Sequence, residues 1–512
     1  MRYTIIILLV ALLSGSCDNW LDLEPENERL SMDYWTKKED VHNTMMSAYV
    51  RLRDCQTKMF QWGELRADVL EIKTSSSTEQ IEKINKQNIT SENTIIEWAQ
   101  FYKVINSANA VIKYAPVVLT RDPLFTEEQM DQYIAEAKVV RSLAYFYLVR
   151  AFREVPLITE PYLTDAQDIF QPKVAEEAIL DRLILDLKWS LKRVPVTYAS
   201  AGSSLAWENK GRMTRWAAQT LLADIYLWSE KYKECVDACQ LIIDSKRYRL
   251  VGNEQEEEDE NGTTEQESWF SIFYPGLSEE SIFEIYYDHA NNQRNSLFSW
   301  FQKDGTYLLP QRIIDEFEYD NAVIDLRAKN KTYFKQDSWL GVWKYVGAST
   351  DGTTKRSGDK QSPNWIIYRY PEVLLMQAEA YAMLDGGMVE GNKIAAVRAL
   401  NVVKTRAGVP AIDVDVAAQM SEASLMDEIL KERKKEFVGE GKRWFDLVRF
   451  AKKDGFSKYK KSVIDILLEN VPMNERTIYE TKLSNEWSFY FPIHKDEIDI
   501  SKGVLKQNPA YQ

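Results

Sequence analysis

Five tryptophans, Trp269, Trp300, Trp339, Trp343 and Trp365, fall in stretches without helical period. A flat indole held on a loop can stack on the apolar face of a sugar ring. Asn291, Asn292 and Arg294 lie just upstream of Trp300 and offer hydrogen bonds to hydroxyls. Trp269, Trp300 and Trp339 are therefore candidate ligand contacts together with these polar side chains. Each ring also has a second reading, as a loop anchor packed on the scaffold; one or two of the set are expected to touch ligand. A different constellation runs from Glu436 to Arg449, where Glu436, Arg443, Asp446 and Arg449 interleave with Trp444, Phe445 and Leu447. Here the apolar residues are expected to pack while the charges pair around them.

Other chemistries find little support. There is no Gly-rich phosphate loop, no His-Glu-x-x-His and no Gly-x-Ser-x-Gly, and the chain has only 3 His. Paired carboxylates could hydrolyse a glycosidic bond, but among 78 acidic residues some pair always exists. No catalytic residue and no cofactor is assigned. Glu257-x-Asp259-x-Asn261-Gly262 has the alternating oxygens of a calcium loop, but begins with Glu and has Ser268 where the bidentate Glu belongs. It reads as a solvated acidic loop. Cys235 and Cys239 lie one helical turn apart without nearby His, so they read as small buried residues and no metal site is assigned.

At the N-terminus, Arg2 precedes the apolar run Ile5–Leu13, then Ser14-Gly15-Ser16-Cys17. The run is shorter than the roughly 20 residues a spanning helix needs. It reads as a lipoprotein signal peptide over residues 1–16, with Cys17 the lipidated residue. Residues 17–512 are expected to form one domain anchored to a membrane. The formal charge of −14 argues against nucleic acid as a partner.

Helical periodicity dominates the elements that must position these residues. Helices are expected over 36–53, 97–114 (ended by Pro116), 126–152, 175–193, 214–228, 232–244, 370–384 and 395–406. A last stretch, 425–453, is expected to break near Gly439 or Gly441. Ala217-x3-Leu221-x-Ala223-x2-Tyr226 followed by Tyr232-x2-Cys235-x3-Cys239 has the spacing of a tetratricopeptide-like helix pair; 374–381 with 395–408 is a similar unit, and 136–152 a third. Inserts at about 73–93, 254–307 and 333–368 interrupt the helices, with a short strand at 282–287. The predicted fold is mostly α: a repeat scaffold for rigidity, with long irregular inserts forming a ligand-binding portion.

Several blocks resemble the SusD/RagB family. Glu432-Arg433-Lys434 through Phe450 resembles its "ERxxEFxxEGxRWFDLxR" signature. Tyr370–Tyr381 and Leu400–Gly408 match preceding blocks, with Lys404 for the usual Arg. Phe491-Pro492-Ile493-His494 and Gln507-Asn508-Pro509-Ala510-Tyr511 resemble its ending, with His494 and Ala510 as departures. The resemblance implies a lipid anchor in the outer membrane facing the cell exterior, and a SusC-like TonB-dependent β-barrel transporter as partner. It also implies polar ligand contacts from an early connection, where Arg66 and Asp68 lie. The leading reading is capture of glycan for import, without catalysis; capture of peptide by the same architecture is the alternative. The tryptophan density of the inserts favours glycan, and a surface glycosidase is the least supported reading.

Overall fold

The computed structural model describes residues 33–163, 167, 170–198, 206–252, 269–288, 291–318, 325–337 and 339–512. Cys17 and the acidic 257–268 loop lie outside them. Local signals explain several helix bounds. Thr126 and Gln129 form a reciprocal capping box that opens Glu127–Phe152. Thr214 caps Arg215–Trp228 and Ser421 caps Glu422–Phe437 through their side-chain oxygens. Pro371 sits in the first turn of Tyr370–Met383, where its missing N–H costs nothing.

Two helices differ most from expectation: Glu390–Arg406 starts five residues before 395, and a second runs past a proline. Ala99–Arg121 runs through Pro116 instead of ending before it. Pro116 is exposed while Ala115 and Val118 are buried. The ring and the lost hydrogen bond thus face water, and burial of the opposite face offsets the penalty.

The helices pack as hairpins. Ala99–Arg121 packs on Glu127–Phe152 and on Lys38–Asp54, Arg215–Trp228 on Tyr232–Asp244, and Tyr370–Met383 on Glu390–Arg406. Neighbouring pairs join where Tyr232–Asp244 meets Tyr370–Met383, and Cys235 is a small buried residue at that seam. The expected break near Gly439 and Gly441 separates Glu422–Phe437 from Arg443–Phe456. Gly441 has a φ of +72°, and a Cβ there would sit 2.8 Å from the Trp365 ring, so the turn needs glycine.

Among the described residues there are four two-stranded antiparallel ladders, three of them formed by the inserts and their flanks. Ser281–Ile285 pairs with Trp365–Arg369, Tyr333–Gln336 with Trp339–Val342, and Glu71–Ile72 with Tyr307–Leu308. The insert at 73–93 also contains a short helix, Glu79–Asn85, capped by Thr78. Among the described residues no helix is long and apolar enough to cross a membrane.

The 436–449 segment is the electrostatic centre of the core. Trp444, Phe445 and Leu447 are buried. Glu436 accepts from Arg327 at 2.7 Å, from Arg406 at 2.5 Å and from Arg369. Glu440 pairs with Arg369 at 2.9 Å and Lys344 at 2.7 Å. Arg449 meets Glu379 at 2.7 Å and Asp446 at 2.9 Å. These bonds tie the insert strands and the repeat helices to one turn of chain.

Candidate functional site

Three inserts meet on one surface. The Lys73 amide donates to the Thr306 carbonyl at 2.9 Å, the Ser76 hydroxyl to the Gly305 carbonyl at 2.8 Å, and the Thr306 hydroxyl to the Ser76 carbonyl at 3.0 Å. Lys73 Nζ lies 3.7 Å from Asp304 and 4.8 Å from the Trp339 ring centroid. Lys303 bonds Asp337 at 2.6 Å. Residues 71–77, 302–308, 335–337 and 339 thus form one rim. Thr74, Ser75, Ser76, Asp304, Gln336 and Asp337 are exposed along it.

Trp300 stands at this rim. It lies on the short helix Leu297–Phe301, two residues before the Gln302–Gly305 turn; a Cβ on Gly305 would collide with the Trp300 carbonyl. Its ring is half-buried, backed by Phe60 at 5.3 Å and Tyr307 at 5.5 Å between centroids. Phe60, on Gln56–Glu64, is fully buried and also touches Phe301 and Trp365. An aromatic cluster therefore fixes the insert to the helical scaffold and leaves part of one indole open.

The other predicted contacts divide. Arg294 is exposed and lines a cavity of about 360 Å³ at the N-terminal end of the Leu297–Phe301 helix. Asn291 and Asn292 are exposed beside it; Asn291 is engaged with Asp288 at 2.7 Å, and Asn292 takes a positive φ of 56°. Trp339 is only 5% exposed, its ring covered by Lys73 and its N–H directed at the Phe301 carbonyl at 3.4 Å. Trp269 is 1% exposed, packed on Phe273 at 5.2 Å, so it anchors its segment and presents no face. Trp343 and Trp365 are likewise buried.

Arg66 and Asp68 are also interior. The Arg66 guanidinium lies 4.1 Å from the Trp444 ring centroid and donates to the Ser488 and Phe489 carbonyls at 2.6 and 2.9 Å. Burial pulls its pKa down to about 10. Asp68 receives Arg443 at 2.7 Å and Arg312 at 3.2 Å. Burial alone would raise its carboxyl, but Arg443, Lys434 and Arg312 outweigh that and hold it well below the usual carboxylate range. Both residues fasten the early connection to the 443–489 region instead of facing a ligand.

Sequence reasoning missed Lys73 and Asp304 at the rim, and Arg51, Arg53 and Gln56 in the cavity wall. Arg51 and Arg53 close a helix, where cations are common because they suit its dipole. Their pattern carried no signal of a cavity.

The sequence model of the SusD family matches residues 253–511, just over half of the chain. The chain belongs to the SusD family. A second model, described as starch-binding associating with outer membrane, matches residues 19–227. A SusD-like protein, P38, from Formosa agariphila is 25% identical over 491 residues, covering 87% of this chain and 90% of its own. The fold is shared with solved SusD structures. A SusD superfamily protein from Bacteroides vulgatus has a TM-score of 0.72 at 20% identity, covering 93% of this chain and 100% of its own. Surface glycan-binding protein A from Bacteroides thetaiotaomicron, in complex with laminarihexaose, has a TM-score of 0.67 at 22% identity, covering 92% and 100%. In this SusD-family chain the signature block 432–450 is thus the charged core, while the ligand-facing candidates lie in the inserts.

Proposed function

We propose that this SusD-family protein captures oligosaccharide at the cell surface and passes it to a SusC-like TonB-dependent β-barrel transporter. The observation that carries the reading is the half-open Trp300 at a rim of hydroxyl, amide and charged side chains from three inserts. An aromatic platform flanked by hydrogen-bonding groups suits a pyranose, which has apolar faces and polar edges. Support comes from the solved relative that holds laminarihexaose and from another described as a laminarin-binding SusD-like protein.

The reading is of binding without hydrolysis. The rim carboxylates Asp304 and Asp337 have side chains 89% and 75% exposed, and lysines face both. Neither has the apolar setting that keeps an acid protonated for attack on a glycosidic bond. A reducing-sugar assay checks this; new reducing ends would make the protein a glycosidase.

Affinity electrophoresis against polysaccharides and a peptide panel tests the ligand class. Trp300→Ala should lower affinity for the best glycan by about 1 kcal/mol or more, roughly a fivefold rise in Kd. Four of the five insert tryptophans are buried, so tryptophan density no longer separates glycan from peptide. Retention by peptides alone would transfer the function to peptide capture.

Anchoring at the outer membrane through Cys17 belongs to the same proposal, supported by the family description of association with that membrane. Membrane fractions solubilised in mild detergent should retain the protein with a β-barrel, and Cys17→Ala should shift it to the soluble fraction. A Cys17→Ala protein still membrane-bound and labelled by fatty acid would sink the anchor.

A further inference from the structure

The cavity at the N-terminal end of the Leu297–Phe301 helix has a charge opposite to that of the whole chain. The protein carries 64 basic and 78 acidic side chains, and Arg327, Arg369, Arg406, Arg433, Arg443 and Arg449 all meet carboxylates. Arg51, Arg53, Lys103 and Arg294 do not. They converge from the end of Lys38–Asp54, from Ala99–Arg121 and from the connection before residue 297 onto one cavity of about 360 Å³, where Asp54 is the single acidic lining residue among the described residues. None of the four forms an ion pair among the described residues. Among the described residues the Arg51 guanidinium donates only to the Lys103 carbonyl, at 3.1 Å.

A second feature borders the same space. Gln56 lines the cavity, is 2% exposed, and its side-chain amide nitrogen is buried without a hydrogen-bond partner. A buried donor left unsatisfied is unfavourable until an acceptor arrives. Four cations gathered around one carboxylate repel one another, and an anion relieves that repulsion. Three of the four are arginines, whose planar fork matches the oxygens of a carboxylate or sulfate.

We propose that this cavity is an anion subsite that receives the carboxylate or sulfate of an acidic sugar residue, so that the captured glycan is an acidic one. The inference rests on the glycan reading given above. The cavity and the Trp300 platform are built on the same two helices, Leu297–Phe301 with its cap Ser296 and Gln56–Glu64. Ser296 lines the cavity and Trp300 follows one turn later; Thr57 lines it and Phe60, against which Trp300 packs, also follows within a turn. A helical turn spans ~5.4 Å, so neighbouring residues of one oligosaccharide can occupy ring and cavity together.

Titration calorimetry on the full-length mature protein tests this with three probes: an oligogalacturonate for carboxylate, a sulfated galactan oligosaccharide for sulfate, and neutral laminarihexaose. At least one acidic probe should bind about tenfold more tightly than the neutral one, and added salt should reduce that preference. Which acidic probe wins identifies the anion. In Arg53→Gln/Arg294→Gln the acidic preference should fall by about tenfold, with a melting curve run alongside to confirm folding. The exposed Lys103→Gln serves the same purpose, with a smaller fall, if the double variant does not fold. Equal affinity for acidic and neutral probes, or an acidic preference that survives substitution, overturns the anion subsite and leaves glycan capture standing. If no oligosaccharide binds but poly-glutamate does, glycan capture fails and the cavity is no sugar subsite.

Discussion

Glu436→Ala should destabilise the protein by about 3–5 kcal/mol or more, a large part of the 5–15 kcal/mol that typically holds a domain folded. The side chain is fully buried and accepts from Arg327, Arg369 and Arg406. Removing it leaves three guanidinium groups in the interior with one fewer counter-charge, and the loss of one partner costs far more than the pair was worth. Denaturant titration should show a lowered midpoint, and little of the variant should accumulate in soluble form. A midpoint matching wild type would mean that water reaches the guanidinium groups and that the network is not a structural centre. The same carboxylate sets an acid limit. Burial would raise the Glu436 carboxyl, but Arg406, Arg369 and Arg327 outweigh it and hold it well below its usual range. Asp446 is held at about 2, its burial outweighed by Arg433 and Arg449. Folded pKa values below the unfolded ones mean stability that is present above roughly pH 4–5 and is lost as pH falls toward the folded values.

Trp444→Ala is the second large effect, about 3–5 kcal/mol. The ring is 1% exposed and stacked on Phe489 at 6.0 Å between centroids. The Arg66 guanidinium lies 4.1 Å from its centroid. Truncation therefore opens a cavity and also removes the platform of a buried cation, so the cost should lie toward the upper end of the range. Thermal unfolding measures it. A melting curve unchanged from wild type, with oligosaccharide binding abolished, would instead make Trp444 a ligand contact.

These two residues show what local reading could see. That the 436–449 charges would pair around packed aromatics follows from their interleaving. The partners of the charges do not. Asp68 meets Arg443 and Glu280 meets Arg406 across 375 and 126 residues of chain, and no spacing rule reaches that far. Arg66 and Asp68 are expected as ligand contacts only because the family resemblance implies polar contacts from an early connection. Here the connection is interior, and its charges are structural.

Periodicity, capping and glycine are near-neighbour physics, and they determined the scaffold. Tyr232–Asp244 has the bounds its apolar spacing predicts, Thr126 opens its helix, and Gly439 and Gly441 end theirs. Pro116 misled because a local rule cannot tell whether the proline faces water. The inserts carry no period, so nothing along the chain distinguishes an open indole from a buried one. Trp269, Trp343 and Trp365 became anchors, and Trp300 stayed half-open, because of Phe60 and the strands that pack around it. The cationic cavity was equally hidden. Arg51 and Arg53 end one helix, Lys103 sits on another and Arg294 on a loop. Only the packing of those elements against each other decides that four cations share one space with a single carboxylate, Asp54. Helices are set by interactions within a few residues, whereas the site is set by which distant surfaces exclude water from one another.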